Sequence, residues 1–340
     1  MTEAGQDATV GVAGTKIYTQ DCLDTLLRAG RGIDYLVTLT PSQASEYGVA
    51  GYQDLRPFAE THDIQVYHPE EYGLGTATDR DAIKGMDLDV LLVTGWSRLV
   101  PEPILESVSA GAIGAHGSPD GLPKGRGRAV LNWALIEGET EFEIATFFLE
   151  PGVDDGNVID TTTFSVTEFD TASTLRYKTW MVYTDTVLEH FDDIVRDEVA
   201  TTPQPASGAT YYPKRRPEDG AIDWSKSAVW LHAFVRALTD PYPGAFTHLD
   251  GDRVTIWDAQ PFDDRLDFSS GTPGRVVKVF CDGEILVETG DSALLVTDFE
   301  GVSPSAIEPG SVFRSVPHEE TLGEIRTRYP DFVEDNQKEI

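Results

Sequence analysis

Short apolar runs alternate with helically spaced segments through the first half of the chain. TVGVAGTKI (residues 9–17) runs apolar as far as Gly14, and in YTQDCLDTLLRAG behind it Leu23, Leu26 and Leu27 recur at the three-and-four spacing of a helix. The runs DYLVTLT, DIQVYH and DLDVLLVTGW follow, separated by the helical segments DLRPFAETH and PEPILESVSA. Strands alternating with helices predict an α/β fold with a doubly wound, mostly parallel sheet, because the crossover helices must cover both of its faces. Ligands of such sheets bind beyond the carboxyl ends of the strands, here the loops at Gly14, Thr40, Gly95 and His116. A long helix is predicted over TASTLRYKTWMVYTDTVLEHFDDIVRDEV, with Leu175, Trp180, Met181, Tyr183, Val187, Leu188 and Phe191 along much of one face.

The pattern then changes. ATTPQPASGATYYPKRRPEDG is rich in Pro, Thr, Ser and Gly and reads as an extended linker. WSKSAVWLHAFVRAL reads as an amphipathic helix capped by Ser225 or Asp223. The short alternating runs AFTHL, DRVTIWDA, GRVVKVF, GEILVET and SALLVTDF, parted by Gly- and Asp-rich turns, predict a small antiparallel β-barrel of the OB-like kind. The expected organisation is therefore a catalytic domain over residues 8–200, a linker over 201–222, a barrel over 223–315 and a tail over 316–340. A length of 340 residues also favours two compact units with separate cores.

Charge modifies the picture more than length does. With 58 acidic and 26 basic side chains the net charge is −32. The excess is dispersed, as in DAIKGMDLDV, HFDDIVRDEV, PFDDRLDF and EDNQKE, which points to a surface adapted to high salt, a halophilic trait, and away from a single acidic tail. At molar salt the Debye length falls to ~3 Å, so the charge neither establishes nor excludes a nucleic-acid partner. The one dense basic cluster is Lys214, Arg215 and Arg216. MTEAGQDATV has no basic n-region and no apolar h-region, and no apolar stretch is long enough to cross a bilayer, so a cytoplasmic protein with no membrane partner is expected. Cys22 and Cys281 fall in different expected domains, which supports neither a disulfide nor a thiolate metal site; no metal is expected. Nothing in the pattern fixes an oligomeric state.

Two segments carry candidate chemistry. Gly11 and Gly14 in GVAGTK lack the full dinucleotide-binding fingerprint and read more simply as a close strand-to-helix turn. The second segment is GAIGAHGSPDGLPKGRGRAVLNWALIEGETEFEIATFFLEPGVDDGNVI. In it His116 sits where a strand would end, beside a Gly- and Pro-rich loop, and PGVDDG offers Asp154 and Asp155 after the apolar run TFFLE. If both strands share a sheet, an imidazole and a carboxylate meet at its edge, the pairing by which enzymes set the protonation of a general base.

His116, Leu122-Pro123, Arg126-Gly127 and Asp154-x-Gly156 match, in order and at nearly the same spacing, the signature of the folate-dependent formyltransferases, a family this chain resembles from about residue 8 to 315. GWSRLVPEPIL resembles the loop and helix of that family's folate pocket, and YYPKRRPEDGAIDW with RALTDPYPGAFT resembles the linker and C-terminal domain of its longer members. The resemblance implies transfer of a formyl group from 10-formyltetrahydrofolate to a primary amine. It gives His116 the role of stabilising the formyl oxygen and moving protons, and Asp154 that of orienting the imidazole. The Asp-x-Gly spacing selects Asp154 over Asp155, which is left with Gly95, Trp96, Leu99, Val100 and Pro101 to border the folate.

Gly114 departs from the family, which has an asparagine there whose amide donates to the developing oxyanion. Loss of one such donor typically costs roughly 10²–10³-fold in rate. Three readings follow: a backbone N–H at Gly114 replaces it, protonated His116 carries the charge alone, or the protein is a weak or non-catalytic folate- or nucleotide-binding member. The loop GSPDG is also about two residues longer than usual, and Glu143 replaces a common glycine. For the acceptor, LPKGRGRAVLNW, PKRRPEDG and DPYPGAF resemble the branch that formylates nucleotide-linked amino sugars, including the aminoarabinose-pathway module. Ser118, Lys124, Arg126, Arg128, Asn132 and Tyr242 are then the expected substrate contacts, the arginines for diphosphate. Initiator methionyl-tRNA is the alternative acceptor, with the Lys214–Arg216 cluster as its phosphate contact.

Overall fold

The computed structural model describes residues 8–263, 265, 266, 268 and 270–329, so positions 330–340 of the expected tail lie outside the described residues. From the N-terminus the chain forms Val10–Ala13 (β1), Ile17–Arg28 (α1), Tyr35–Val37 (β2), Pro41–Glu46 (α2), Arg56–Thr61 (α3), Gln65–Tyr67 (β3), Ala77–Lys84 (α4) and Val90–Val93 (β4). Next come Glu102–Leu105 (α5), Gly111–Ser118 (β5), the two-residue strand Arg126–Gly127 (β6), Val130–Ile136 (α6), Glu141–Phe148 (β7), Val158–Ser165 (β8) and Ala172–Val195 (α7). The described residues divide into two compact units. Of these, the first draws on residues 8–126, 143–164 and 177–209, the second on 127–142, 165–176 and those described from 210 to 329.

Among the described residues, the sheet of the first unit has the strand order β3-β2-β1-β4-β5-β7-β8. The pairs β2/β3, β1/β2, β1/β4 and β4/β5 are parallel, and β5/β7 is antiparallel. Strand alternation sorts the side chains into two cores. Val10, Val12, Val90 and Leu92 face one side with Leu23 and Leu26 of α1 and with Tyr183, Val187, Phe191 and Ile194 of α7. Ala13, Val37 and Leu91 face the other with Ile83 of α4 and Ile104 of α5. The expected doubly wound sheet is present, and α7 buries Leu175, Tyr183, Val187 and Phe191 of the stripe its spacing predicted, with Trp180 and Leu188 partly buried, whereas Met181 is 66% exposed because it falls off the sheet-facing side. The helix expected over PEPILESVSA is only the single turn of α5.

Gly14 is explained by proximity. A Cβ there would run into the carbonyl oxygen of Thr94 and the side chain of Thr19. Thr19 Oγ1 donates to Thr94 O at 2.7 Å, and Thr15 Oγ1 donates to Gly95 O at 2.9 Å. The glycine lets the first turn lie directly on the end of β4, which is the close-turn reading.

In the second unit follow Tyr211–Tyr212 (β9), Ala228–Leu238 (α8), Ala245–Leu249 (β10), Asp252–Pro261 (β11), Val276–Val279 (β12), Ile285–Glu288 (β13), Ala293–Glu300 (β14) and His318–Arg328 (α9). All five runs predicted for the barrel are strands, in the antiparallel order β10-β11-β14-β13-β12. The sheet curls, and the segment after β14 bridges its two edges. Phe313 N donates to Gly274 O at 2.9 Å beside β12, and Arg314 N donates to His248 O of β10 at 2.9 Å. Helix α8 buries Leu231, Phe234, Val235 and Leu238. Its N-cap is Ser227, whose hydroxyl accepts from Trp230 N at 3.2 Å, and neither Ser225 nor Asp223 as expected. Asp223 is engaged elsewhere, accepting from Ser225 Oγ at 2.6 Å and from His318 N at 2.9 Å. No helix among the described residues is long and apolar enough to cross a membrane.

Candidate functional site

The loops at the carboxyl ends of β1 and β4 open onto a cavity of about 230 Å³ in the first unit. Its wall includes Tyr18, Gly95, Trp96, Leu99, Val100, Gly114, Leu149, Asp154 and Trp180. Gly95 has φ +74°, and a Cβ there would come within 2.7 Å of Thr19 Oγ1 and 2.9 Å of the Tyr18 ring, so the strand end and the first turn meet only because the position is glycine. The Tyr18 and Trp180 rings stack with centroids 4.3 Å apart and planes 10° from parallel. Trp96 packs edge-on against Tyr72, centroids 4.7 Å apart, and its indole Nε1 is buried with no hydrogen-bond partner. A buried indole N–H without an acceptor at a cavity wall suits a ligand that brings a carbonyl or ring nitrogen.

β5 runs antiparallel to β7, with Gly114 opposite Phe147 and His116 opposite Ala145. His116 lies inside β5, two residues before its end, and not at the strand terminus that the sequence suggested. The loop after β7 then turns back. A side chain at Gly156 would strike the carbonyl oxygen of Phe148, which accounts for the glycine of the Asp-x-Gly pattern. Asp154 takes the left-handed conformation, φ +52°, which asparagine and aspartate tolerate best among residues with a Cβ. This turn brings Asp154 Oδ2 to 3.3 Å from His116 Nδ1. The other ring nitrogen, Nε2, lies 2.8 Å from the carbonyl oxygen of Gly125. Both side chains are largely buried, 11% and 21% exposed, so little water screens the pair. Both imidazole nitrogens face oxygen acceptors, and a ring protonated at both positions donates to each.

Gly114 sits inside β5, where a Cβ would stand 2.8 Å from Leu149 Cδ2. The room that an asparagine side chain would need is occupied by Leu149 in the cavity wall. The two other departures from the family pattern prove to be one feature. Glu143 stands opposite Ser118, and its carboxylate lies against Gly121 in the lengthened loop, where a Cβ would be 2.7 Å from Oε1. Burial pushes the Glu143 carboxyl above its usual range.

Of the residues expected at the folate, Gly95, Trp96, Leu99 and Val100 line the cavity, whereas Pro101 and Asp155 do not. Asp155 folds back over Gly152. The residues expected to touch the acceptor are scattered. Lys124 and Arg128 are exposed. Ser118 is 1% exposed, and its Oγ accepts from Asp120 N at 3.2 Å. Arg126 is 7% exposed and donates to Gln204 Oε1 at 2.6 Å. Asn132 is buried, with its amide donating to Ala237 O at 2.6 Å across α6 and α8. Tyr242 is half-buried, and burial raises its phenol, against a lowering by Arg176.

Sequence reasoning passed over Tyr18, Leu149, Trp180 and Gln204. Tyr18 and Trp180 carried a signal, an aromatic just past the first turn and one on the predicted helix stripe. Leu149 and Gln204 had none, since one ends an apolar run and the other lies in a Pro-rich linker.

Comparisons with known proteins bear on the fold and the family. The chain shares its fold with HypX from Aquifex aeolicus, solved with tetrahydrofolic acid, at 19% identity and TM-score 0.61 over 94% of this chain and 47% of that one. It thus spans about half the length of HypX. An N-formyltransferase from Helicobacter canadensis, solved with folinic acid and dTDP-3-aminofucose, is 15% identical with TM-score 0.59 and is covered over its full length by 86% of this chain. Methionyl-tRNA formyltransferase from Clostridium thermocellum is 15% identical with TM-score 0.54, over 87% of this chain and 99% of that one. Residues 11–186 match the formyl transferase family, residues 214–314 match the formyl transferase C-terminal domain, and the chain belongs to that family.

Proposed function

We propose that this formyltransferase moves the formyl group of 10-formyltetrahydrofolate onto the primary amine of a nucleotide-linked amino sugar. The observation that carries the reading is the His116–Asp154 pair, 3.3 Å apart, at a cavity whose wall holds Asp154, Gly114 and the unpartnered Trp96 N–H. The cavity is smaller than a typical ligand pocket of roughly 300–1,000 Å³, so it suits a ring system with its tail outside better than a whole cosubstrate. Trp96, Leu99 and Val100 would hold that ring. A formylated folate supplies the formyl carbon as electrophile.

As an amine adds to that carbon, negative charge grows on the formyl oxygen and a proton leaves the nitrogen. Neutral His116, held at Nδ1, accepts that proton at Nε2 once the ring leaves the Gly125 carbonyl, and the imidazolium so formed faces the oxygen's charge. As the adduct collapses, the bond from the formyl carbon to N10 breaks and His116 returns the proton to N10, releasing tetrahydrofolate. Asp154 holds Nδ1 and stabilises the ring cation. Positioned proton transfer of this kind is worth typically about 10²–10⁴-fold. With Leu149 in the asparagine's place, His116 carries the oxygen charge without a side-chain partner at position 114. In this reading residues 8–200 perform the chemistry, 201–222 connect, and 223–315 form the accessory barrel of a cytoplasmic protein.

Support for a sugar acceptor comes from Lys124, exposed in the segment that resembles the sugar branch and suited to a phosphate. The tRNA alternative loses part of its footing. Arg215, the centre of the basic cluster, stacks over the Trp133 ring at 4.6 Å with Nε and Nη1 inaccessible to solvent, and burial lowers its pKa to about 10. The test follows formyl loss from 10-formyltetrahydrofolate with UDP- and dTDP-amino sugars and with methionyl-tRNA in parallel. Turnover with at least one sugar nucleotide is expected. Turnover with methionyl-tRNA alone overturns the acceptor, and folate binding without turnover on any amine identifies a non-catalytic member.

A further inference from the structure

Asp154 can face His116 only while its loop holds a left-handed turn, and the groups that hold that turn come from a distant part of the sequence. Thr202 pairs with Val158 at the start of β8, each N–H donating to the other's carbonyl at 2.8 Å. This pairing brings Gln204 beneath the loop. Its Nε2 donates to Asp154 O and to Gly156 O, both at 2.9 Å, and its Oε1 accepts from Arg126 Nη2 at 2.6 Å. One carboxamide therefore engages the carbonyls on either side of the turn that aims Asp154, and is itself oriented by a guanidinium that is 7% exposed.

We infer that Gln204 is a positioning residue that acts through Asp154, with Arg126 setting which face of its amide meets the loop. The inference rests on the proposed roles of His116 and Asp154. Arg126 thereby has a structural task in place of the diphosphate contact expected of it. The amide chemistry is specific. Two N–H donors are needed toward the loop and one acceptor toward the arginine, and among side chains of this length only glutamine provides both. Glutamate keeps the acceptor for Arg126 but turns a second oxygen toward two carbonyl oxygens, which repels the loop and frees Asp154 from its aim.

The experiment compares Gln204→Glu, Gln204→Ala and Asp154→Asn with the parent protein. It reads melting temperature, kcat and KM for 10-formyltetrahydrofolate with the best acceptor, and the ¹⁵N shift of the His116 ring in protein labelled at histidine. Gln204→Glu is expected to stay folded, to keep KM for the folate within about threefold, and to lose roughly 10–100-fold in kcat, as loss of alignment at a catalytic pair predicts. Its His116 Nδ1 signal should move toward that of Asp154→Asn. Parental kcat and an unmoved His116 signal in folded Gln204→Glu overturn the inference. So does a kcat loss that vanishes in both Gln204 variants below their melting temperatures, since the residue is then only structural. Should Asp154→Asn itself keep full activity, the site assignment fails instead, independently of Gln204.

Discussion

At residue 114 the choice is between a side chain and a neighbour. Glycine there leaves room for Leu149, whose Cδ2 stands 2.8 Å from the position a Cβ would take. Introducing a side chain makes the methyl end of that flexible, partly buried leucine move, which places the cost at the low end of the roughly 1–3 kcal/mol typical of overpacking. Gly114→Asn is therefore expected to destabilise the protein and to lower its activity, even though it supplies the amide the family uses. Combined with Leu149→Ala, which vacates the space, Gly114→Asn should be tolerated. A double-mutant cycle on unfolding free energy is expected to show a favourable coupling of about 1 kcal/mol or more. Strict additivity would mean that the two positions do not compete for the same volume. The sequence announced the substitution but not its partner, because Leu149 closes an ordinary apolar run and only the loop's return path places it against β5.

Element patterns were the most legible part of the chain. The alternating runs gave every strand of the curled sheet and, Met181 apart, the periodic stripe of α7, since burial on one face fixes both. Local hydrogen bonding misled at element ends. Asp223 and Ser225 looked like helix caps, yet Asp223 receives the backbone N–H of His318 from α9, a partner far along the chain. The same neighbourhood yields a pH effect. His318 is 7% exposed, and its ring stands edge-on to Trp230 with centroids 4.9 Å apart. Burial first, then the charges of Arg215 and Lys226, lower its pKa to about 4, against a raising by Asp223. Between pH 6.5 and about 4 the unfolded chain binds a proton there that the folded chain refuses. The stabilisation is thus complete above pH 6.5 and is lost as pH falls toward 4, by up to about 3 kcal/mol. His318→Phe keeps an aromatic ring and removes the titration. Its urea midpoint should fall less steeply than the parent's over this interval, and parallel slopes would show that another group governs the acid limb.

For the whole molecule, the excess of 58 acidic over 26 basic side chains is the dominant physical fact. Self-repulsion at a net charge of −32 opposes compaction, and salt relieves it as the Debye length falls from about 10 Å at 0.1 M to about 3 Å at 1 M. We propose a halophilic protein, whose melting temperature rises by roughly 10 °C or more between 0.1 and 2 M KCl. A flat or falling trend, read by circular dichroism, would remove that proposal. The fold class and the proximity of His116 to Asp154 were readable before any coordinates, the proximity because His116 and the Asp-x-Gly loop share a family spacing. The internal partners of Asn132 and Arg126 were not, since both look like free polar groups in sequence and are bonded to Ala237 and Gln204 in the fold. The central claim, that His116 and Asp154 carry formyl transfer, is tested most directly by single-turnover transfer from 10-formyltetrahydrofolate to the best amino-sugar nucleotide, at saturating salt, in the parent, His116→Ala and Asp154→Asn. Transfer is expected in the parent and a loss of roughly 10²–10⁴-fold in each variant with the fold retained; parental rates in either folded variant would contradict it.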